Sequence, residues 1–358
     1  MIMRGGTSRG PFLRLGDIPA EEPARSDALL NLMGSGHALQ IDGIGGGDPL
    51  TSKVALIDRS SQPGADVDYL FAQVDVLERR VDFTPNCGNM LAAVGPYAIE
   101  SGLVEAVDGV TTVRIFNVNT QRMIESRVPT RNGEVCYEGD TRISGVPGQA
   151  AGIRLGFLNV IGAKTGRLLP TGNAIEVIDG IEVTCLDAAT PTIMLEAAAL
   201  GWQGNETSAE MDIDRERLER LERIRLEAGR RMGMGDVSHS VLPKPILLSP
   251  AQDASGTLCV RYFVPHRCHK ALAVTGSIAL AVAVSVPGTV TNRLVIAQGK
   301  LAPQQCLAMA RFEHPSGYID VDVEHRNEDP HDVIRASVWR TARKIMSGTL
   351  FYPSDTAA

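Results

Sequence analysis

The sixteen residues from 271 to 286, ALAVTGSIALAVAVSV, carry no charge. A stretch so apolar must leave water, either into a bilayer or into a protein core. A membrane span needs about 20 consecutive apolar residues. This run is shorter and is interrupted by Thr275, Gly276 and Ser277. It therefore predicts a core helix near 270–286, apolar on every side, and the remaining chain has to supply the walls around it.

Those walls read as β-structure. KVALID (53–58), VDYLFAQVDVL (67–77) and TTVRIFNV (111–118) have strand composition in the first half. IEVTCLD (181–187), TIMLEAA (192–198), PILLSP and LCVRYFV do so in the second. A helix is expected over 88–101, stopped at Ser101-Gly102 and loosened by Pro96. IDRERLERLERIRLEAGRRM, with Leu218, Leu221, Ile224, Ala228 and Met232 on one stripe, predicts an amphipathic surface helix. Pro315-Ser316-Gly317 marks a hairpin in MARFEHPSGYIDVDVE.

The halves echo each other. A strand leads into CGNMLAAVG and then VRIFNVNTQRMIESRV. Later a strand leads into AVTGSIALA and then RFEHPSGYIDVDV. The reading is an α+β fold of two similar domains, 1–178 and 179–344, each a mostly antiparallel sheet around a central apolar helix. A strand near 345–353 would return to the first. The two helix starts are expected at a shared cleft.

With 358 residues, two cores are expected. The net charge of -7, without a basic, aromatic-laced stripe, argues against nucleic acid. The N-terminus MIMRGGTSRG has no secretory pattern, and no membrane span is read. Six unpatterned cysteines suit free thiols in a reducing compartment, so the cytoplasm is expected. Homo-oligomerisation stays open.

TPNCGNMLAAVG (84–95) sets Cys87 where a helix begins. Unpaired N–H groups there lower a thiol's pKa and can hold a carboxylate. Cys87 is equally compatible with a buried filler, since free cysteines are among the most buried residues. Cys136, Cys185, Cys259 and Cys306 read as core. HRCH (266–269) gathers His266, Cys268 and His269, but no C-x-x-C or H-x3-H spacing accompanies it, so substrate contact or solvent exposure is preferred to a metal. GIGGGDPLTSK (43–53) is not a Walker A loop. It delivers Thr51, Ser52 and Lys53, and a lysine there is either solvated or, facing an anionic substrate in a cleft, paired with a carboxylate or acting as acid or base. MRGGTSRG, LPTGN and EHPSG are further glycine turns bearing hydroxyls, suited together to a small polyanionic acid.

MRGGTSRG, QIDGIGGGDPLTSKVA, DVDYLFAQV, PNCGNMLAAVGPYAIESGL, LLPTGN, HKALAVTGSIALAVA and RFEHPSGYIDVDVE together resemble the PrpF family, over nearly the whole chain. That family includes 2-methylaconitate cis-trans isomerase and 4-oxalomesaconate tautomerase. The resemblance implies a diaminopimelate epimerase-like fold and proton transfer without a cofactor or metal. It makes Cys87 and Lys53 the acid–base pair, with either as the base. Thr7, Ser8, Gly88, Asn89, Thr275 and Gly276 are expected at substrate carboxylates. Arg9, Thr51, Ser52, Met90, His266, Lys270, Ser277 and Ser316 are counted with them.

Two departures matter. Epimerases of this fold carry a second cysteine at the second central helix, and no thiol stands at Ala273-Val274-Thr275. Many relatives have Lys at the position of Arg9, where Arg would pair bidentately. An isomerase of an unsaturated di- or tricarboxylic acid is the leading expectation. An epimerase, and a non-catalytic accessory protein binding an acid or a partner enzyme, are the alternatives.

Overall fold

The computed structural model describes residues 1–264 and 266–353. The chain divides into two compact units, 1–156 with 339–358, and 157–338. Sequence had placed the boundaries at 178/179 and 344/345.

The first unit is built from β1 (Ile2–Gly5), β2 (Ser8–Arg14), α1 (Ala24–Met33), β3 (Lys53–Arg59), β4 (Val67–Val74) and β5 (Val81–Asp82). Then come α2 (Gly88–Leu91), α3 (Val94–Glu100), β6 (Gly109–Asn117), β7 (Arg122–Arg131), β8 (Glu134–Val135) and β9 (Ile153–Leu158). The second unit contains β10 (Glu176–Ile178), β11 (Ile181–Ala188), β12 (Thr190–Glu196), α4 (Ser208–Asp212), α5 (Arg215–Arg231) and β13 (Lys244–Pro250). It continues through β14 (Leu258–Tyr262), α6 (Val274–Ser285), α7 (Val290–Ala297), β15 (Met309–His314), β16 (Gly317–His325) and β17 (Val333–Arg340), and the chain closes with β18 (Ala342–Met346).

The repeat suspected in the sequence is present in the pairing. In unit one, β1–β2 is antiparallel, β2–β3 parallel, β3–β4 antiparallel, β4–β6 parallel and β6–β7 antiparallel. In unit two, β11–β12, β12–β13, β13–β14, β14–β15 and β15–β16 repeat that order of directions. The helices fall at matching points: α1 and α5 before the third strand, α2–α3 and α6–α7 after the fourth.

Each sheet is buried on both faces. On one side of unit one, Val54, Leu56, Ala72 and Val74 pack with Leu29, Leu30 and Met33 of α1. Because strand side chains alternate, Ala55, Ile57, Tyr69 and Phe71 point the other way. Phe12, paired with Ala55, packs there against Tyr97 of α3, the rings tilted by 39° at a centroid distance of 6.0 Å. In unit two, Val183, Cys185, Ile193, Leu195 and Leu247 meet Leu221, Ile224 and Ala228 of α5. The opposite face meets α6 and α7, where Thr291 Oγ1 lies 3.2 Å from Met194 Sδ. From Gly276 to Ser285, α6 is wholly buried.

Several expectations need correction. The first central helix is two, broken at Ala92-Ala93. Pro96 has no N–H for the Ala92 carbonyl and its ring crowds that group. The turn tightens instead, with Ala92 and Ala93 donating three residues back to Asn89 and Met90. The strand from Val67 stops at Val74, because the Asp75 carboxylate accepts from the N–H groups of Leu77 and Glu78 and forms a turn. The returning strand is Ala342–Met346, antiparallel to β1, rather than 345–353. Cys136 and Cys306 are only partly buried, in loops outside the strands, whereas Cys185 and Cys259 are core.

Arg225 is fully buried on α5. It forms a two-pronged pair with Glu222 and donates to the carbonyls of Val237, Ser240 and Leu242. One side chain thus pins the 237–242 loop to the helix.

Among the described residues no single helix is long and apolar enough to cross a membrane. The pair α6 and α7 is bent by 67°.

Candidate active site

The site is built on the α3-facing side of the first sheet. The β3–β4 hairpin folds about Pro63-Gly64, which sets Lys53 opposite Gln73, Ala55 opposite Phe71 and Ile57 opposite Tyr69. All six point to one face. Lys53 Nζ donates to Gln73 Oε1 and lies 5.3 Å from the centroid of the Phe71 ring. The Gln73 amide is oriented by its own donors, which reach the carbonyls of Ser52 at 2.9 Å and Pro49 at 3.2 Å. The Lys53 ammonium therefore has a neutral partner, and no carboxylate bridges it among the described residues.

Two residues along the same face, Tyr69 donates to the carbonyl of Cys87 at 3.4 Å. Burial, with a smaller push from Cys87, raises the Tyr69 pKa well above 10, so the phenol stays a donor. Cys87 is the N-cap of α2, with extended backbone at φ -126° and ψ 99°. Its Sγ accepts from Met90 N–H at 3.5 Å. The N–H groups of Gly88 and Asn89, first in the helix, have no intrahelical acceptor. With four residues, α2 offers these donors rather than a sizeable dipole. Asn86 accepts from Asn117 at 2.8 Å, anchoring the approach to the cysteine.

The glycines of MRGGTSRG let the β1–β2 hairpin lie directly on this site. A Cβ on Gly5 would come 2.4 Å from the Asn89 carbonyl oxygen, and one on Gly10 would come 1.8 Å from that of Lys53. The Met90 methyl also reaches Gly10, at 3.3 Å from that Cβ position. One strand is thus flanked by the lysine's backbone and by the helix that Cys87 caps. At the hairpin turn Asn89 Nδ2 donates to Thr7 Oγ1 at 2.9 Å. Ser8, facing Gly5 across the hairpin, is 2% exposed, and its Oγ has no hydrogen-bond partner. Arg9 N–H donates to Leu50 at 3.0 Å, and its exposed guanidinium lies beside Gly46 and Thr51.

The structure therefore brings Thr7, Ser8, Arg9, Thr51, Ser52, Lys53, Cys87, Gly88, Asn89 and Met90 into one neighbourhood. Two of these spend their hydroxyls internally. Ser52 is fully buried and accepts from Gln40 Nε2 at 2.8 Å, while Thr51 donates to Asp48 at 3.1 Å. They shape the loop that presents Lys53.

In the second unit, the position matching Cys87 is Ala273, N-cap of α6. Thr275 lies in the first turn and its hydroxyl makes no bond among the described residues. Gly276 packs on the Tyr262 ring, 2.5 Å from where a Cβ would sit, and buried Ser277 donates to Val274 at 2.8 Å. Ser316 donates to the Lys270 carbonyl just before the helix. His266 is apart from these, 64% exposed over α5 with Nδ1 3.9 Å from Glu222. Cys268 and His269 turn elsewhere, and no trio of His, Cys, Asp or Glu side chains among the described residues is arranged to hold a metal.

Gln73, Phe71, Tyr69 and Gln40 were missed from the sequence. Gln73 had a signal: the Pro-Gly turn midway between two strands fixes the register that pairs it with Lys53. Tyr69 and Gln40 had none, because no turn or strand register fixes their contacts with Cys87 and Ser52.

An α+β chain with this duplicated sheet-and-helix plan, and a cysteine capping the first central helix, has the diaminopimelate epimerase-like fold. The PrpF protein family model matches residues 1–353, and the chain belongs to that family. It is 53% identical to YbhH of Escherichia coli (strain K12) over 353 residues, covering 99% of this chain and 98% of that one. It is 47% identical to the 4-oxalomesaconate tautomerase of Pseudomonas putida, covering 99% and 96%. A crystal structure of methylitaconate-delta-isomerase superposes with a TM-score of 0.87 at 35% identity, covering 97% of this chain and 93% of that one.

Proposed function

We propose that this chain is an isomerase that moves a proton along a small unsaturated di- or tricarboxylic acid without a cofactor, shifting its double bond or interconverting its cis and trans forms. Cys87 and Lys53 are the acid and base. The observation that carries the reading is an ammonium held by a neutral amide, on the same sheet face as the tyrosine that binds the Cys87 carbonyl. A lysine already neutralised by a carboxylate would have little attraction left for an anionic substrate. This one keeps its charge available, and Arg9 has no acidic partner among the described residues.

In the reaction one of the pair removes a carbon-bound proton adjacent to a conjugated carboxylate or carbonyl. The electron pair spreads into an extended enolate, whose growing charge is met by the N–H groups of Gly88 and Asn89 and by the Thr7–Asn89 pair. The other group returns a proton at the far allylic carbon, so atoms and charge balance. Alanine at the α6 N-cap, where an epimerase needs its second thiol, favours an isomerase over a two-cysteine racemase. We place the reaction in the cytoplasm, since all six cysteines are free thiols.

The test is deuterium uptake in D2O followed by NMR, with oxalomesaconate, methylitaconate and methylaconitate as first substrates. The wild type exchanges at least one of them, and Cys87→Ser loses a factor of about 10²–10⁴, the usual worth of a positioned acid or base. Undiminished exchange in Cys87→Ser removes the assignment. No exchange with any acid turns the reading toward a binding protein.

A further inference from the structure

Arg4 and Arg343 stand directly opposite each other on β1 and β18. Both line a cavity of about 60 Å³ that the 143–150 loop also lines. Like charges at facing strand positions repel and destabilise the pair, so the usual arrangement supplies an acid nearby. Here no carboxylate bridges either arginine among the described residues, and Glu100, the acid at the adjoining Lys344, also accepts from the Tyr137 hydroxyl. Half-buried Arg4 donates, among the described residues, only to neutral oxygens, the carbonyls of Gly6 and Thr341 and the Thr341 hydroxyl, at 2.9–3.0 Å. Exposed Arg343 has no partner among the described residues. Burial and then the neighbouring Arg343 lower the Arg4 pKa, as expected of uncompensated positive charge. The loop adds donors, since the N–H groups of Gly148 and Gln149 have no acceptor among the described residues. Glu138 contributes the one carboxylate among the described lining residues, and it is exposed.

We propose that this cavity is a binding site for a small oxyanion, a phosphate or a carboxylate, bridged between the guanidinium groups of Arg4 and Arg343. Guanidinium forks suit both chemistries through paired N–H···O bonds. The site is separate from Cys87 but shares its scaffold. Arg4 holds the Gly6 carbonyl at the turn that presents Thr7, and a Cβ on Gly145 in the 143–150 loop would sit 3.0 Å from the Thr7 methyl. Occupancy should therefore be felt at the turn that Asn89 binds.

The test is titration of the whole protein with inorganic phosphate and, separately, with malonate, read by shifts of the arginine Nε–H and of the Gly6, Thr7, Gly148 and Gln149 amides. Saturable shifts with either anion in the millimolar range support the site. Phosphate alone assigns it to phosphate groups, and malonate alone to carboxylates. Arg343→Gln, an exposed change that leaves the Arg4 contacts with Gly6 and Thr341 intact, should weaken binding about tenfold, as loss of a charge-assisted bond does. Non-saturating shifts with both anions, or equal affinity in Arg343→Gln, overturn the proposal.

Discussion

Gly10 is confined by contact rather than by backbone angle. A methyl group there would overlap the Lys53 carbonyl, part of the rigid ladder between β2 and β3, so relief requires the strands to part. Gly10→Ala should cost about 1–3 kcal/mol, the range for forced overpacking, measurable by urea denaturation. It should also reduce turnover more than a remote change of equal stability cost, because the displaced backbone carries the lysine. Full activity at wild-type stability would show that the hairpin does not press on β3. Gly6 faces a different restriction: its φ is +52° and Asn89 Oδ1 occupies the space a side chain would need. These glycines read in the sequence as a loop that cradles a ligand. Their close contacts also let protein backbone and side chain approach the site from behind.

At the scale of elements, α5 shows how buried charge can hold a fold together. Arg225 satisfies itself with Glu222 and three loop carbonyls, and it sits near half-buried Lys244 at the start of β13. Burial, and secondarily Arg225, pushes the Lys244 pKa down to about 8 from 10.5. Between those two values the unfolded chain holds a proton that the folded chain has released, so this residue makes stability rise with pH across that window. Below about pH 8 the penalty for a charged Lys244 is fully present. Lys244→Met should therefore raise Tm at pH 7, with the advantage shrinking as pH climbs toward 10.5. Thermal melts of both proteins across pH 7–10 check this; a constant difference would mean that the lysine is solvated. The periodicity of α5 was plain in the sequence, as its apolar stripe is local. The depth of Arg225 was not, because arginine on a surface helix ordinarily faces water.

For the whole molecule, the first unit is discontinuous: β18, from the end of the chain, pairs with β1 at its start. Truncation after Arg340 removes that partner and the Thr341 oxygens that hold Arg4. It exposes one edge of the hairpin that carries Thr7. Tm should fall by roughly 5 °C or more, and carbon-acid exchange should fall with it; an unchanged melt would show that β18 is dispensable. The duplicated plan explains why so much of the fold was legible. Each half needs three strand hairpins and an apolar helix, and several of these pieces have a local signature, from the Pro-Ser-Gly turn at 315–317 to the uncharged run at 271–286.

By itself the sequence determined the parts: which segments alternate as strands, which helix must be buried, where the turns fall, and that Cys87 opens a helix while Lys53 opens a strand. Those are properties of short windows, set by side-chain period and backbone freedom. Only the tertiary structure decided the partners. Tyr69 at the Cys87 carbonyl, Arg343 opposite Arg4, and β18 returning to β1 all join residues from separate elements of the chain. Such contacts depend on how sheets stack and which edge the chain comes back to, and no local pattern of residues encodes that choice.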